Sequence, residues 1–174
     1  RLSFGLQDTN LEVQQAINRV QDTEFVAELM TRGRALGFSS INLDVIYGLP
    51  HQTAERFAKT LEDVLALNPD RVSLFSYAHL PARFAAQKKI KDEWLPNGEA
   101  KLALMLAAIE TFTSRGYVAI GMDHFAKPTD ELAQAQASGL LHRNFQGYTV
   151  KGNCDLLGLG VSAISAIGHL FAQN

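Results

Sequence analysis

The segment INLDVIYGLP, residues 41–50, decides the fold. Its run of apolar and β-branched residues, such as Leu43 and Val45, predicts a buried strand, and the GLP at its end predicts a turn. Two other segments have the same character: RLSFGLQ at residues 1–7 and RVSLFSYAHLP at residues 71–81. Because each is an apolar run that ends in polar or turn residues, we expect three similar strands.

Helical patterns occupy the connections between these strands. Their sequences are NLEVQQAINRV (10–20), DTEFVAELMTRGRALG (22–37) and TAERFAKTLEDVLALNPD (53–70). In the second pattern Asp22 or Thr23 is placed to cap the helix and Gly37 to end it, and the third helix should end before Pro69. Alternating strands and helices predict parallel strands joined by right-handed crossovers, which indicates the α/β class.

The part of the chain after Pro81 adds further helices and strands. We expect a short basic helix over 82–90, a helix over 98–115 opened by Asn97, a strand over 117–122, a short helix over about 129–138, a strand over 140–150, a turn at 151–155 and then LLGLGVSAISAIG at 156–168. The sequence contains no linker and no low-complexity tract, so it predicts one domain or most of one.

The composition argues against several classes of protein. A net charge of −2 without a dense basic face disfavours sequence-independent nucleic-acid binding. No apolar run approaches the roughly 20 residues of a membrane helix, and no signal peptide is recognisable. Cys154 is the single cysteine and cannot form an internal disulfide, which favours a reducing, cytoplasmic compartment.

Asp44 is the most informative polar residue because it lies inside an apolar segment. A buried carboxylate without a partner would cost several kcal/mol, so something must pair with it. With the two-residue period of a strand, Asn42 and Asp44 share the face opposite Leu43 and Val45. That face suits a polar barrel lumen, where ligands bind at the carboxyl ends of the strands. The alternative is a carboxylate bonded to backbone or to an arginine for structural reasons alone.

The other polar residues are less specific. Surface solvation is the default explanation for Arg19, and KKIKDE at 88–93 is expected to form a solvated face. The five histidines lack the spacing of a metal site. His124 follows a strand, and that position suits proton transfer or substrate contact as well as a structural role.

The segment GLGVSA, residues 158–163, matches a dinucleotide fingerprint only in its loose form. An unrelated nucleotide-binding dehydrogenase would need a strand before this turn and a helix after it. We interpret the glycines instead as a tight turn that lets the backbone approach a ligand closely.

Longer stretches carry a more specific signal. They are RLSFGLQD, NLDVIYGLP, RVSLFSYAHLP, AAQKKIKD, GYVAIGMDHFAKPTDELA and HRNFQGYTVKGNCDLLGLGVSAIS. Together they closely resemble the oxygen-independent coproporphyrinogen III oxidases, a family of radical S-adenosylmethionine enzymes. The segment HRNFQGYT separates this family from a related haem chaperone, which binds haem without oxidase activity and is the alternative.

The resemblance implies the family's reaction, oxidative decarboxylation of two propionates of coproporphyrinogen III to vinyl groups, giving protoporphyrinogen IX. It implies S-adenosylmethionine and a 4Fe-4S cluster as cofactors, and hydrogen abstraction from the propionate β-carbon by a 5′-deoxyadenosyl radical. An electron donor and an electron acceptor are the implied partners besides the substrate.

The fold that the resemblance implies is a partial (β/α)6 barrel. Residues 1–81 would be its last three βα units, and residues 82–174 would complete the catalytic domain. The family's cluster-binding cysteines and C-terminal domain have no counterpart here. The chain is therefore expected to be an internal fragment of a longer monomeric enzyme and to be inactive alone. Its first strand would be an unpaired sheet edge through which copies of the chain self-associate.

The resemblance also implies site residues. Four would contact S-adenosylmethionine: Gln7, Arg19, Asp44 and Ala78. Three would line a second S-adenosylmethionine position near the substrate: Phe145, Gln146 and Ile164. Two are candidates for substrate contact, His124 and Arg143. No catalytic residue and no metal ligand is assigned to this chain.

Overall fold

The computed structural model describes all residues from Arg1 to Asn174 and divides them into two compact units, Arg1–Gln134 and Ala135–Asn174. The boundary between the units lies after Gln134, whereas the family resemblance implied a division at residue 81. No helix combines the length and the apolarity that crossing a bilayer requires.

The first unit contains a five-stranded sheet. Its strands are β1 (Leu2–Gln7), β2 (Ile41–Tyr47), β3 (Arg71–Ser76), β4 (Val118–Gly121) and β5 (His124–Ala126), in the order β1-β2-β3-β5-β4. The pairs β1–β2 and β2–β3 are parallel, which confirms the expected βα pattern. Sequence analysis missed β5, a three-residue strand that pairs antiparallel with both β3 and β4.

Helices connect and cover the strands, and two of them begin at the predicted caps. They are α1 (Leu11–Ala16), α2 (Thr23–Ala35), α3 (Ala54–Leu67), α4 (Gly98–Ser114) and α5 (Glu131–Ala137). The side chains of Asp22 and Asn97 accept backbone hydrogen bonds at the starts of α2 and α4. The predicted basic helix over 82–90 is confirmed only in part, as a five-residue 3-10 helix over Ala85–Lys89.

The core lies between one face of the sheet and the helices. Leu43 and Val45 on β2 pack there with Phe57 on α3 and Phe112 on α4, all at most 1% exposed. Burial of these side chains stabilises the first unit by about 1.5–3 kcal/mol each. Because strand side chains alternate, Asn42 and Asp44 lie on the opposite face of the sheet.

The second unit contains two β-hairpins. Their strands are β6 (His142–Asn144), β7 (Gly147–Thr149), β8 (Ile164–Ile167) and β9 (Leu170–Gln173). A single strand over 140–150 was therefore wrong, because the chain reverses at Phe145 and Gln146. Asn144 Oδ1 accepts a hydrogen bond from the Gln146 N–H at 2.9 Å, and Gly147 adopts a φ of +126° that favours glycine.

The segment GLGVSA forms a turn before β8. A Cβ on Gly158 would lie 2.7 Å from the Ile164 carbonyl oxygen, so this glycine lets two segments of the chain's own backbone approach closely. Strand β8 follows the turn where a dinucleotide-binding protein would have a helix. The dehydrogenase alternative is thereby excluded.

Candidate functional site

A row of residues crosses the sheet on the face opposite the core. The strand register places Gly5 beside Asp44, Asp44 beside Ser73, and Ser73 beside His124. The next row on this face contains Ser3, Asn42 and Arg71. Hydrogen bonds join the two rows, because Asn42 Nδ2 donates to Asp44 Oδ1 at 2.7 Å. The predicted sharing of one polar face by Asn42 and Asp44 is confirmed.

Asp44 is partly buried and is not held in an ion pair. Its Oδ1 accepts the hydrogen bond from Asn42, whereas its Oδ2 accepts none and can still receive a donor from a ligand. Burial raises the pKa of Asp44, and the Asn42 and Ser73 side chains and the charges of His124 and Arg19 oppose that rise. The amide of Asn42 therefore supplies the partner that sequence analysis required.

Gly5 makes space for two other polar side chains beside Asp44. Arg19 Nη2 donates to the Gly5 carbonyl oxygen at 2.8 Å. A Cβ on Gly5 would lie 2.6 Å from Gln7 Nε2 and 2.9 Å from Arg19 Nη2. A register shift between Gly5 and Gln7, with a φ of +67° at Gln7, turns the end of β1. Gln7, Arg19 and Asp44 thus converge on one glycine.

Gln7 Oε1 has no hydrogen-bond partner although the atom is buried. A buried acceptor without a donor costs about 1–3 kcal/mol, so proteins rarely leave one unsatisfied. Together with Asp44 Oδ2, this atom gives the region around Gly5 two acceptors that a ligand with hydroxyl or N–H groups can satisfy. Arg19 adds a positive charge at the same place.

Ala78 lies two residues beyond the end of β3, in an exposed loop. Its carbonyl oxygen accepts from Gln87 Nε2 at 3.0 Å, and Lys101 Nζ donates to the Tyr77 carbonyl oxygen at 2.6 Å. These two contacts fix the backbone of the loop. No hydrogen bond joins Ala78 to the residues around Gly5.

His124 faces the same row from β5. Its Nδ1 lies 2.6 Å from Asp123 Oδ1, and its ring packs edge-on against Phe75 with centroids 6.3 Å apart. A carboxylate on Nδ1 fixes the orientation of an imidazole and directs Nε2. His124 is thus an oriented group next to Ser73 on the polar face.

The four remaining predicted residues belong to the second unit. Arg143 and Phe145 line a cavity of about 530 Å³ together with His142 and Lys151. The Arg143 guanidinium stacks on the Tyr148 ring at 5.8 Å, which holds it on the hairpin. Gln146 is exposed at the hairpin turn, and Ile164 pairs with Gln173; neither lines this cavity.

Sequence analysis missed a buried network at the ends of β1 and β2. Asp8 is fully buried, and its carboxylate accepts from the Asn10 N–H at 2.7 Å, from Thr60 Oγ1 at 3.0 Å and from Gln52 Nε2 at 2.7 Å. Gln52 Oε1 in turn accepts from the Gly48 N–H at 2.6 Å. Burial raises the pKa of Asp8. The only sequence signal was an acidic residue directly after a strand.

The potential metal-ligating side chains do not form a cluster. Across residues 1–174 no group of three or more His, Cys, Asp or Glu residues is arranged to hold a metal ion, and Cys154 is exposed and free. A 4Fe-4S cluster takes its ligands from several thiolates, so the residues of this chain do not fit it.

Comparisons with known proteins give consistent results. No family model matches the chain. The oxygen-independent coproporphyrinogen III oxidase of Escherichia coli is 60% identical over all 174 residues, and that of Pseudomonas aeruginosa is 54% identical. The chain spans 38% of the length of each. A solved structure described as coproporphyrinogen III oxidase (HemN) from Escherichia coli, a radical SAM enzyme, is 60% identical and superposes on the whole of this chain with a TM-score of 0.93. The present chain covers 40% of that solved chain.

Proposed function

Because the chain is a homologue, along its whole length, of part of oxygen-independent coproporphyrinogen III oxidase, we propose that it supplies part of the S-adenosylmethionine and substrate sites of such an enzyme. The reaction would be oxidative decarboxylation of two propionates of coproporphyrinogen III to vinyl groups, giving protoporphyrinogen IX. The convergence of Gln7, Arg19 and Asp44 on Gly5 is the observation that carries this proposal.

The chemistry of these three side chains fits S-adenosylmethionine. Asp44 Oδ2 would accept a hydrogen bond from a ribose hydroxyl, and Gln7 Oε1 would accept one from an N–H of the cofactor. Arg19 would pair with the cofactor carboxylate in a charge-assisted hydrogen bond. Ala78 would contribute backbone and little bulk. S-adenosylmethionine and a reduced 4Fe-4S cluster would supply the one-electron chemistry of the reaction.

The second unit would contact the substrate and a second S-adenosylmethionine molecule. Arg143 would pair with a substrate propionate, since it lines a cavity that also contains the cationic side chain of Lys151. Phe145, Gln146 and Ile164 would line the second cofactor position. In the first unit, His124 would face the substrate, because Asp123 orients its ring.

The parallel strands β1, β2 and β3 would be the last three strands of a partial (β/α)6 barrel. We further propose a cytoplasmic location, which the single free cysteine favours. Because the chain offers no thiolate set for a cluster, we expect that it does not cleave S-adenosylmethionine alone. An electron donor and an electron acceptor would be needed for turnover.

A segment exchange tests the proposal. Residues 1–174 would replace the matching segment of the Escherichia coli relative, and anaerobic formation of protoporphyrinogen IX would be measured after cluster reconstitution. We expect the exchanged enzyme to be active and its Arg19→Gln and Asp44→Asn variants to bind S-adenosylhomocysteine at least about tenfold more weakly. A folded exchanged enzyme with a full cluster but no product would contradict the proposal. Haem binding without product would favour the haem-chaperone alternative.

A further inference from the structure

Asn42 has all its side-chain hydrogen-bonding groups engaged beneath the candidate site. Its Nδ2 donates to Ser3 Oγ at 2.9 Å and to Asp44 Oδ1 at 2.7 Å, and its Oδ1 accepts from Ser73 Oγ at 3.1 Å. Asn42 is 8% exposed, so water has little access to replace these partners. The amide therefore has both N–H groups and its oxygen in use.

These partners permit one orientation of the amide. An ionised carboxylate only accepts hydrogen bonds, so the Asn42 NH2 group must face Asp44. The reversed amide would place Oδ1 against the carboxylate and Nδ2 against the hydroxyl of Ser73. The carboxylate thus selects the observed orientation, and the Ser73 hydroxyl holds it by donating to Oδ1.

The same contact determines which Asp44 oxygen is available. Asn42 occupies Oδ1, and Oδ2 accepts no hydrogen bond within the chain. Two positively charged or titratable groups face Asp44 from other elements, Arg19 from the segment after α1 and His124 from β5. The Asn42 amide donates directly to Asp44 Oδ1, and the Ser73 side chain and the charges of His124 and Arg19 also favour the ionised carboxylate.

We propose that Asn42, oriented by Ser73, is a positioning residue that holds Asp44 with Oδ2 directed to the hydroxyl groups of the bound nucleoside. This inference rests on the proposed contact between Asp44 and S-adenosylmethionine. Asn42 acts through Asp44 and need not touch the ligand itself. A glutamine would be one methylene too long for the observed 2.7 Å contact, and an aspartate would set two carboxylates against each other.

The test measures the affinity of the exchanged enzyme for S-adenosylhomocysteine between about pH 5 and about pH 9. Asn42→Ala should weaken binding about tenfold at neutral pH. Without the Asn42 donor, Asp44 should protonate more readily. The pH below which affinity is lost should therefore be higher in Asn42→Ala than in the parent. In turnover, KM for S-adenosylmethionine should rise about tenfold while kcat changes less than about twofold.

Substitutions at Ser73 separate positioning from a general loss of structure. Ser73→Ala should weaken binding less than Asn42→Ala does, and Ser73→Thr, which keeps the hydroxyl, should restore it. Ser114→Ala removes an exposed hydroxyl that bonds only to its own helix and should leave affinity unchanged. If Asn42→Ala does not fold, as judged by circular dichroism, the comparison of Ser73→Ala with Ser73→Thr decides the question.

The variants distinguish a failure of the positioning role of Asn42 from a failure of the proposed function. If Asp44→Asn weakens binding but folded Asn42→Ala keeps both the affinity and the pH profile of the parent, the positioning role is overturned and the proposed function stands. If Asp44→Asn itself binds with the parent affinity, the ribose contact in the proposed function fails. Equal affinities for Ser73→Ala and Ser73→Thr would also refute the role of Ser73.

Discussion

Replacing Asp130 with alanine should strongly destabilise the first unit, because Asp130 is half of a buried ion pair. Its two carboxylate oxygens accept from Arg71 Nε at 2.9 and 2.8 Å, and each side chain is 3% exposed. Asp130 also accepts from Ser40 Oγ at 3.0 Å and from the Leu132 N–H at 2.8 Å. The alanine variant leaves the Arg71 guanidinium buried without its main counter-charge.

The expected magnitude follows from these contacts. Removing one member of a buried ion pair costs about 3–5 kcal/mol, and losing the hydrogen bond to the Leu132 N–H at the start of α5 costs about 1 kcal/mol more. Arg71 keeps a contact with the exposed carboxylate of Glu131 at 2.9 Å, which favours the lower end of that range. We expect the free energy of unfolding to fall by about 4 kcal/mol, which is a large share of the roughly 5–15 kcal/mol typical of a domain.

Equilibrium urea unfolding, followed by circular dichroism, measures this loss. The matched control is Asp92→Ala, which removes a 92% exposed carboxylate and should cost less than about 0.5 kcal/mol. The double variant Arg71→Met with Asp130→Leu removes both charges and should recover most of the stability. A cost below about 1 kcal/mol for Asp130→Ala, or a double variant no more stable than the single one, would refute the reasoning.

Three further predictions concern the end of β2 and the buried network. Gln52→Leu should cost about 3 kcal/mol in urea unfolding, because Asp8 loses a donor and the Gly48 N–H loses its acceptor inside the protein; a cost under about 1 kcal/mol would contradict this. Gly48→Ala should cost about 1–3 kcal/mol, since its φ is +83° and a Cβ would lie 2.6 Å from Lys101 Cε. Gly37→Ala shares the positive φ without a neighbour within 4 Å and should cost less. Burial raises the pKa of Asp8 above its unfolded value, so the native state binds the proton more tightly, and this group's contribution to stability should fall as pH rises between the two values. The free energy of unfolding of Asp8→Asn, compared with that of the parent at several pH values, should lack this dependence on pH. Parallel pH profiles for the two proteins would refute the attribution of the dependence to Asp8.

The sequence alone determined the features that depend on local interactions. Parallel strands at 41–47 and 71–76 follow from apolar runs, and the starts of α2 and α4 follow from capping by Asp22 and Asn97. Caps are readable because a side chain bonds to backbone only two or three residues away. The family resemblance was also available, because long quoted stretches match relatives that are up to 60% identical.

The tertiary structure alone decided which residues meet. Strand β5 has three residues, too few for a periodic pattern, and it exists because β3 and β4 pair with it from distant parts of the chain. The sequence placed Asn42 on the same face as Asp44, but the contact by which Ser73 orients the Asn42 amide depends on the register between β2 and β3. Gln7 and Arg19 meet beside Gly5 because a shift in the β1–β2 register and a missing Cβ make room for both. Such contacts depend on packing between segments that are far apart in sequence, and no local pattern records them.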